Sequence, residues 1–586
     1  MAEARNGGAV IAAALQRAGV GHLFTLCGGH ISPILVESKR LGLRVVDMRD
    51  EANAVFAADA MARLTGRPGV AAVTAGPGVT NAVTALENAR LAQSPVVLLG
   101  GATATLLRGR GALQDIDQLA LMRPIAKCAT RVTTVGGLRP TLERALALAQ
   151  GGVPGPVFVE VPVDLLYDEP LVRDLYRRES GADRVGGVAG TAMRLYLEAH
   201  LARQFRAPAL PSLEDLPARL AERLDLRRGT SGGVGRIAER LARAERPVLI
   251  LGSQALAGCE DPARLAAAVR ALGVPVYLGG MARGLLGRRD ALQFRHARGR
   301  ALKEADVVVV AGFPFDFRLG YGRGFGRGAF IGAANLSAAE LRKNRSPDVA
   351  VEMHPGEFLV ALAAKAGKPQ AREAWFGALR EREAARDREI AAGAEAAGEL
   401  VNPLRFLLRL EEKMADDAAL VVDGGDFVAT AAYTLRPRAP LAWLDPGVFG
   451  TLGVGGGFAT AAALARPGRE VWLLYGDGSC AYSLAEFDTF ARHGLAPIAV
   501  IGNDGSWQQI AREQVDMLGD DVGTVLARCD YHRVAEGYGG VGLLLTEDGR
   551  IDEVLDRAQE AARAGRPVCI NVHLRRSEFR KGSISM

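Results

Sequence analysis

The stretch LLYGDGSCAYSLAEFDTFARHGLAPIAVIGNDGSW, Leu473–Trp507, contains two apolar runs that each end in an acidic turn. The first run ends at Gly-Asp-Gly with Asp477, and the second ends at Asn-Asp-Gly with Asp504. The segment between them has the spacing of an amphipathic helix, so the predicted order is strand, helix, strand. Open α/β sheets bind ligands at the carboxyl ends of their strands. We therefore predict two neighbouring strand-end carboxylates in a parallel sheet.

These two acids suit a magnesium ion that holds a phosphate group. Mg²⁺ usually binds one or two carboxylates, several waters and the phosphate oxygens of a ligand. The backbone N–H groups of Gly478 and Ser479 could face the same phosphate. Ser483 and Glu486 predict a capping box at the start of the intervening helix. The alternative is that the acids are ordinary turn residues that accept backbone hydrogen bonds, but two such turns at this spacing favour the metal.

The same alternation of short apolar runs and amphipathic helices extends through most of the 586 residues. It predicts an α/β fold with three consecutive doubly wound parallel-sheet domains, and the similar rhythm of the first and third suggests an internal duplication. The predicted segments are a first domain at 1–170, a linker or helical insertion at 171–235, a central domain at 236–366, a helical linker at 367–400, a third domain at 401–574 and a tail at 575–586.

Composition excludes several classes of protein. Hydrophobic residues make up 49% and charged residues 24% of the chain, as in globular proteins. The net charge of +6 comes without a polybasic block, so nucleic-acid binding is not expected. The start of the sequence has no secretory signal, and the six scattered cysteines predict free thiols in a reducing, cytoplasmic setting. The uncharged stretch 446–465 is long enough to span a bilayer, but its six glycines favour a loop entering a helix.

The two acidic turns together resemble the fingerprint of thiamine diphosphate-dependent enzymes. That family also requires a glutamate in another domain, which protonates the pyrimidine ring of the cofactor. VVDMRDEANAVFAADAMA supplies Glu51, and TAGPGVTNAVTALENA follows at the family's spacing with Pro77 and Asn81 as implied cofactor contacts. From the residues alone, Glu51 would be an acid well placed in the first turn of a helix.

Further motifs extend the resemblance over essentially the whole chain. FGTLGVGGGFA places Gly450 and Leu452 where the family supports the bent cofactor with an apolar side chain. GGDFVA places Asp426 and Phe427 near the diphosphate, although a plain βα turn explains that motif nearly as well. The resemblance also implies magnesium ligands and cofactor contacts around the opening stretch: Gly476, Asp477, Gly478, Ser479, Asp504 and the backbone carbonyl of Ser506.

Within the family, the chain is most similar to the acetolactate-synthase-like 2-hydroxyacyl-CoA lyases. FTLCGGHISPIL, GALQDIDQLALMRP, LYLEAHLARQF, VIGNDGSWQQIAREQV and FRKGSIS carry that likeness. It implies cleavage of a 2-hydroxyacyl-CoA to formyl-CoA and an aldehyde or ketone, with Gln114 or His30 handling the proton of the 2-hydroxyl group. An ordinary polar role in its loop explains His30 equally well. An acetolactate synthase or another 2-oxoacid carboligase or decarboxylase is the main alternative. A cofactor-binding regulatory protein is a third, which the retained Glu51, Asp477 and Asp504 disfavour.

Two residues depart from the family pattern. Many relatives have His immediately before the catalytic glutamate, whereas this chain has Asp50, which removes any proton relay through that His. Most relatives have Asn-Asn at the second metal turn, whereas this chain has Asn503 followed by Asp504. The additional carboxylate should bind Mg²⁺ more tightly, and it favours the lyase branch.

The resemblance also implies partners. Active sites of the family form between subunits, so a homodimer or homotetramer is expected. Related CoA-using enzymes hold an adenine nucleotide, such as ADP or CoA, on the central domain, and FAD is not expected here. The basic tail could close as a lid over an acyl-CoA substrate, with four residues as candidate partners for CoA phosphates: Arg575, Arg576, Arg580 and Lys581. A tail without a fixed structure is an equally good reading.

Overall fold

The computed structural model of the chain describes residues 6–181, 184, 186–206 and 231–580. The named strands of this part of the chain form three six-stranded sheets, and their pairings are parallel. Helices connect the strands in each sheet. The predicted α/β class with three consecutive parallel sheets is therefore confirmed.

The strands of each sheet follow one another along the chain. The first sheet comprises β1 (His22–Thr25), β2 (Arg44–Asp47), β3 (Gly69–Val73), β4 (Val96–Ala102), β5 (Cys128–Arg131) and β6 (Val157–Pro162). The central sheet comprises β7 (Pro247–Leu251), β8 (Val276–Leu278), β9 (Gln293–Phe294), β10 (Val307–Ala311), β11 (Phe330–Asn335) and β12 (Val349–Glu352). The third sheet comprises β13 (Ala419–Asp423), β14 (Trp443–Leu444), β15 (Val471–Gly476), β16 (Ile498–Asn503), β17 (Val541–Leu545) and β18 (Val568–His573).

The α-helices of the described residues are numbered in chain order. Those up to residue 206 are α1 (Gly7–Arg17), α2 (Ser32–Arg40), α3 (Glu51–Thr65), α4 (Pro77–Asn81), α5 (Val83–Leu91), α6 (Gln118–Met122), α7 (Val135–Gln150), α8 (Glu169–Ser180) and α9 (Gly187–Arg206). Those up to residue 395 are α10 (Ser231–Arg243), α11 (Pro262–Leu272), α12 (Arg298–Glu304), α13 (Ala338–Leu341), α14 (Pro355–Lys365) and α15 (Glu373–Glu395). The remainder are α16 (Pro403–Lys413), α17 (Asp426–Thr434), α18 (Val454–Ala465), α19 (Asp477–Cys480), α20 (Glu486–His493), α21 (Gln508–Leu518), α22 (Tyr531–Gly537) and α23 (Ile551–Arg563).

The first and third sheets have the same topology. Their spatial orders are β2-β1-β3-β4-β6-β5 and β14-β13-β15-β16-β18-β17, which become identical when each sheet is numbered from its own first strand. The central sheet has a different order, β12-β11-β10-β7-β8-β9. The shared order supports the duplication that the sequence rhythm suggests.

The chain divides into two compact units. The first contains the first sheet and the helical segment through α9, and the second contains the central and third sheets. Where the individual domains begin and end within these units stays a prediction.

Small residues let α3 pack closely on the first sheet. Its sequence is rich in alanine, and most of its residues are buried. A Cβ atom added to Gly69 of β3 would lie 1.8 Å from the carbonyl oxygen of Ala58, so only glycine permits this approach. The tight packing fixes the position of the first residue of α3, Glu51, at the carboxyl edge of the sheet.

The apolar stretch 446–465 enters the core of the third domain. A short 3-10 helix at Gly447–Phe449 precedes the twelve-residue α18, and ten residues of α18 are buried. Among the described residues, none of the helices combines the length and apolar character that crossing a bilayer would require.

A buried ion pair inside α3 gives a test of the fold. Arg63 contacts Asp59 at 2.6 Å, and both side chains are almost fully buried. Replacing Arg63 with Met would leave Asp59 without its cation, which should destabilise the protein by about 3–5 kcal/mol. Arg40→Met is the matched control, because Arg40 is 68% exposed and its pair with Glu37 should contribute less than about 1 kcal/mol. Equal losses of unfolding free energy in the two variants, measured by urea denaturation, would contradict this assignment.

Candidate active site

The two predicted strand-end acids are joined through hydrogen bonds. Asp477 is the first residue after β15 and is 2% exposed. Its Oδ2 accepts hydrogen bonds from Gly505 N at 2.8 Å and Ser506 N at 3.2 Å, both in the turn after β16. Asp504 Oδ1 accepts from Ser506 N at 3.1 Å in that turn. The structure therefore brings together the two turns that the sequence pairs.

The electrostatics of this pair fit a cation. Burial, and then the negative charges of Asp477 and Asp426, raise the pKa of Asp504 to about 7. Burial also raises the pKa of Asp477, although backbone N–H groups oppose the shift. The Oδ1 atom of Asn503 is buried without a hydrogen-bond partner among the described residues. Hard oxygen atoms in a negative, desolvated site are the donors that Mg²⁺ prefers. The described residues contain no group of three His, Cys, Asp or Glu side chains that could bind a metal alone.

A glycine pair shapes the neighbouring turn. Gly424 and Gly425 follow β13 with φ angles of +46° and +105°, which favour glycine. A Cβ atom on Gly424 would lie 2.0 Å from Leu452 Cδ2, so the side chain of Leu452 rests directly on this turn. Ser479 Oγ donates to Asp423 O at 2.6 Å, and Gly476 N donates to Gly424 O at 3.1 Å. Gly476, Gly478, Ser479 and Leu452 thus converge on one edge of the third sheet.

Asp423 is a supporting residue that the sequence did not reveal. It ends β13 with no exposed surface, and burial raises the pKa of its carboxyl to about 7. Its oxygens accept hydrogen bonds from Gly453 N at 3.1 Å and Gly455 N at 2.8 Å. Because Gly453 follows Leu452, this buried carboxylate fixes the loop that carries Leu452. Gly450 lies in the same loop with a φ of +66°.

Asp426 and Phe427 have different environments. Asp426 begins α17 and contacts Arg512 at 2.9 Å and Arg580 at 3.2 Å. Phe427 is 3% exposed and packs on Phe406 in the core, so only its backbone can face a ligand. The position of these residues at a helix start remains compatible with diphosphate binding.

In the first unit, the turn after β3 gathers the predicted catalytic residues. Glu51 is 7% exposed, and its Oε2 accepts a hydrogen bond from Asn81 Nδ2 at 3.1 Å. A Cβ atom on Gly78 would lie 3.4 Å from Glu51 Oε1, which shows how closely this turn approaches the carboxylate. The short helix α4 follows this turn, with Pro77 as its first residue and Asn81 as its last.

His30 and Gln114 reach the same turn. His30 Nδ1 lies 3.3 Å from Thr74 Oγ1, and burial lowers the pKa of its imidazole. Gln114 has a φ of +63°, and its backbone packs against Gly76. Gln118, which the sequence did not single out, bonds Gly76 N at 2.9 Å through Oε1. The side chains of Glu51 and His30 and the backbone of Gln114 therefore surround one turn.

Two sequence interpretations receive structural explanations. Asp50 Oδ1 accepts hydrogen bonds from Ala52 N at 2.8 Å and Asn53 N at 3.3 Å, so this residue supports the start of α3. The predicted capping box at Ser483 and Glu486 is wrong, because α20 begins at Glu486 without a side-chain cap. Ser483 Oγ instead accepts from Gly456 N at 3.1 Å, so tertiary contacts override the local motif.

Comparisons with known proteins show which sequences this chain is similar to. Three family models match the chain: "Thiamine pyrophosphate enzyme, N-terminal TPP binding domain" over residues 5–121, the central domain over 234–362 and the C-terminal TPP binding domain over 423–572. The chain is 49% identical to 2-hydroxyacyl-CoA lyase 2 of Homo sapiens, covering 100% of this chain and 92% of that protein. It is 47% identical to 2-hydroxyacyl-CoA lyase 2 of Danio rerio, over 99% of this chain and 94% of that protein. It is 34% identical to a probable acetolactate synthase of Mycobacterium bovis, over 97% of this chain and 96% of that protein.

The buried carboxylate of Asp423 predicts a specific pH dependence. Its folded-state pKa of about 7 lies above the ordinary value of 3.8, so its contribution to stability is present below about pH 4 and is lost as the pH rises through 7. Asp423→Asn removes this pH dependence. The unfolding free energy of the variant, relative to that of the wild type, should therefore rise by up to about 4 kcal/mol between pH 4 and pH 8. Urea unfolding without added cofactor or metal measures the difference. Asp417→Asn, at a half-exposed site, is the control; parallel stability curves for wild type and Asp423→Asn would refute the prediction.

Proposed function

Because this chain belongs to the thiamine pyrophosphate enzyme family, we propose that it cleaves a 2-hydroxyacyl-CoA into formyl-CoA and an aldehyde or ketone, and catalyses the reverse condensation. The protein is a thiamine diphosphate-dependent lyase of the 2-hydroxyacyl-CoA lyase type. The observation that carries this conclusion is 47–49% identity over nearly the full chain to proteins named 2-hydroxyacyl-CoA lyase 2, against 34% to a probable acetolactate synthase.

The third domain would bind the diphosphate through Mg²⁺. Asp477, Asp504 and the backbone carbonyl of Ser506 would ligate the metal, with diphosphate oxygens and water completing its coordination. The negative charge at Asp504 and Asp477 supports this assignment, because a divalent cation offsets the cost of burying both carboxylates. Backbone N–H groups of Gly478 and Ser479 would bind the phosphate oxygens.

Residues of the first and third domains would then orient the reacting part of the cofactor. When bound, thiamine diphosphate supplies a nucleophilic ring carbon that permits cleavage of a C–C bond next to a carbonyl. Glu51 would hold a proton on the pyrimidine nitrogen, and its burial keeps that contact away from water. Leu452 would support the bent cofactor from the loop that Asp423 fixes. His30 and Gln114 would exchange protons with the substrate near Glu51.

The second unit also contains a cavity suited to an adenine nucleotide. Its volume is about 700 Å³, and its lining includes Arg295, Arg298 and Arg386. His296 in the wall stacks on Tyr433 at a ring distance of 6.2 Å. Its Nε2 atom lies 3.6 Å from Asp387 Oδ1 and 3.9 Å from Glu383 Oε1, so two carboxylates also lie beside this ring. Guanidinium groups beside a stacked aromatic pair are suited to a phosphate and a purine base. This cavity supports our proposal that the central domain binds ADP or the nucleotide part of CoA.

The described part of the basic tail, residues 575–580, is bonded to the rest of the chain through Arg575 and Arg580. Arg575 Nη2 donates to Ala396 O at 2.5 Å, whereas Arg576 lines a cavity beside Ser506. Arg580 is held by Asp426, and Lys581 lies outside the described residues. Arg576 is therefore the best-placed candidate for a CoA phosphate, and Arg580 would first have to leave Asp426.

The assembly and location of the protein are also proposals. We infer a homodimer or homotetramer, because the cofactor of this family lies between subunits. A cytoplasmic location is supported by the six cysteines, all of which are free thiols.

A product assay tests the proposed reaction. Protein supplied with Mg²⁺ and thiamine diphosphate should convert a 2-hydroxyacyl-CoA to formyl-CoA and an aldehyde, and should form the 2-hydroxyacyl-CoA from formyl-CoA plus a small aldehyde. Pyruvate is the competing substrate, because an acetolactate synthase would condense it. Acetolactate formation without any 2-hydroxyacyl-CoA chemistry would overturn the lyase assignment.

Glu51→Gln separates catalysis from cofactor binding. The amide cannot exchange a proton with the pyrimidine, so the turnover rate should fall by about 10²–10⁴-fold. Binding of Mg²⁺ and the diphosphate should change little, because those contacts lie in the third domain. Calorimetry and product assays on the same preparation measure both properties, and unchanged turnover would exclude Glu51 from the mechanism.

A further inference from the structure

The first unit contains a cavity whose wall includes the helical insertion. Its volume is about 270 Å³, and it lies at the carboxyl ends of β4 and β6, where Thr103 and Pro162 line it. Gln114 lines the same cavity, and so does His200 of α9. The six-stranded sheet is complete at the end of β6, so α9 is an addition to the basic fold. The insertion therefore helps to shape a cavity that also contains a candidate catalytic residue.

A buried carboxylate orders the polar groups behind this wall. Asp164, which is 4% exposed, accepts hydrogen bonds at Oδ2 from Thr105 Oγ1 at 2.6 Å and Gln204 Nε2 at 2.6 Å. Tyr176 of α8 donates to the same oxygen at 2.5 Å. His200 Nε2 lies 2.8 Å from Thr105 Oγ1. Both insertion helices are thus attached to the strand end through one carboxylate.

The donors and acceptors of this network determine the tautomer of His200. The Thr105 hydroxyl has one proton, and the Asp164 carboxylate can only accept. Gln204 Nε2 also donates to Thr105 Oγ1, at 2.7 Å. Since Thr105 donates to Asp164, its oxygen must accept from His200, which places the imidazole proton on Nε2. The Nδ1 atom of neutral His200 then has a free lone pair, as required of an acceptor.

The surroundings of His200 keep it neutral at pH 7. Burial lowers its pKa, the charge of Arg203 lowers it further, and Asp164 opposes these effects. Tyr196 stacks on the imidazole at a ring distance of 6.4 Å, and Tyr176 contacts it edge-on at 6.1 Å. The ring is held in place from both insertion helices.

We propose that Nδ1 of His200 accepts a hydrogen bond from the 2-hydroxyl group of the substrate, so that the α8–α9 insertion selects 2-hydroxyacyl groups over acyl groups without the hydroxyl. This inference rests on the proposed function, since it identifies the part of the substrate that the cavity receives. The 2-hydroxyl group is a hydrogen-bond donor that an unsubstituted acyl group lacks. The other polar groups of the wall would exclude a long alkyl chain, which would leave them unsatisfied.

Binding measurements with two matched ligands test this assignment. The probes are 2-hydroxybutanoyl-CoA and butanoyl-CoA, titrated into Glu51→Gln protein loaded with Mg²⁺ and thiamine diphosphate so that bound ligand is not cleaved. The protein with His200 intact should prefer the hydroxylated ligand about five- to tenfold. Adding His200→Phe, which retains a ring for stacking, should reduce that ratio to about one without weakening butanoyl-CoA binding. A ratio that survives His200→Phe would overturn the proposal.

Two further variants exclude a merely structural effect. His200→Asn places an acceptor oxygen near the position of Nδ1 and should restore part of the preference for the hydroxylated ligand. Leu195→Ala, an exposed site on the same helix that does not line the cavity, should leave the ratio unchanged. Lyase activity of the wild-type protein is measured separately: its absence would refute the proposed function, whereas activity combined with an unchanged ratio in His200→Phe would refute only the role of His200.

Discussion

The hydrogen bonds that Asp477 accepts from Gly505 and Ser506 join the ends of two adjacent strands, and the rest of the third domain is arranged around them. One buried carboxylate links the turn after β15 to the turn after β16 and thereby brings Asp504 within range of Asp477. Burial raises the pKa of both acids, and the charge of Asp477 raises that of Asp504 further, so their charged forms are disfavoured. A divalent cation would remove this penalty, and this supports our proposal that the site binds Mg²⁺.

The supporting residues have a common pattern in both units. In the third domain, Asp423 holds the backbone of the loop that carries Leu452. In the first unit, Gln118 holds the Gly76 turn that approaches Glu51 and Gln114. In each case a buried polar side chain positions a backbone turn at the carboxyl edge of a sheet. Preorganised positions of this kind reduce the cost of ordering the site when a ligand binds.

The sequence predicted the residues whose roles depend on local motifs. The parallel sheets followed from the period of apolar runs, and the pairing of Asp477 with Asp504 followed from two turns of a few residues each. The catalytic role of Glu51 came from the resemblance to a family and stays a prediction. It did not reveal Asp423, because its DGG context is also that of a plain turn and its partners lie about 30 residues away. It did not identify β14, which has only two residues, and it placed a capping box at Ser483 that contacts with Gly456 override. Long-range hydrogen bonds, which leave no local pattern, account for the differences at Asp423 and Ser483.

The account as a whole depends on a metal-bridged diphosphate at Asp477 and Asp504. Calorimetric titration of thiamine diphosphate into the full chain, with Mg²⁺ and then with a chelator, tests this most directly. Binding should require Mg²⁺, and Asp477→Ala should weaken it by more than about tenfold even at saturating metal, because a direct ligand contributes at least as much as the residues that support it. Equal affinity with and without Mg²⁺, or in the Asp477→Ala variant, would contradict the account.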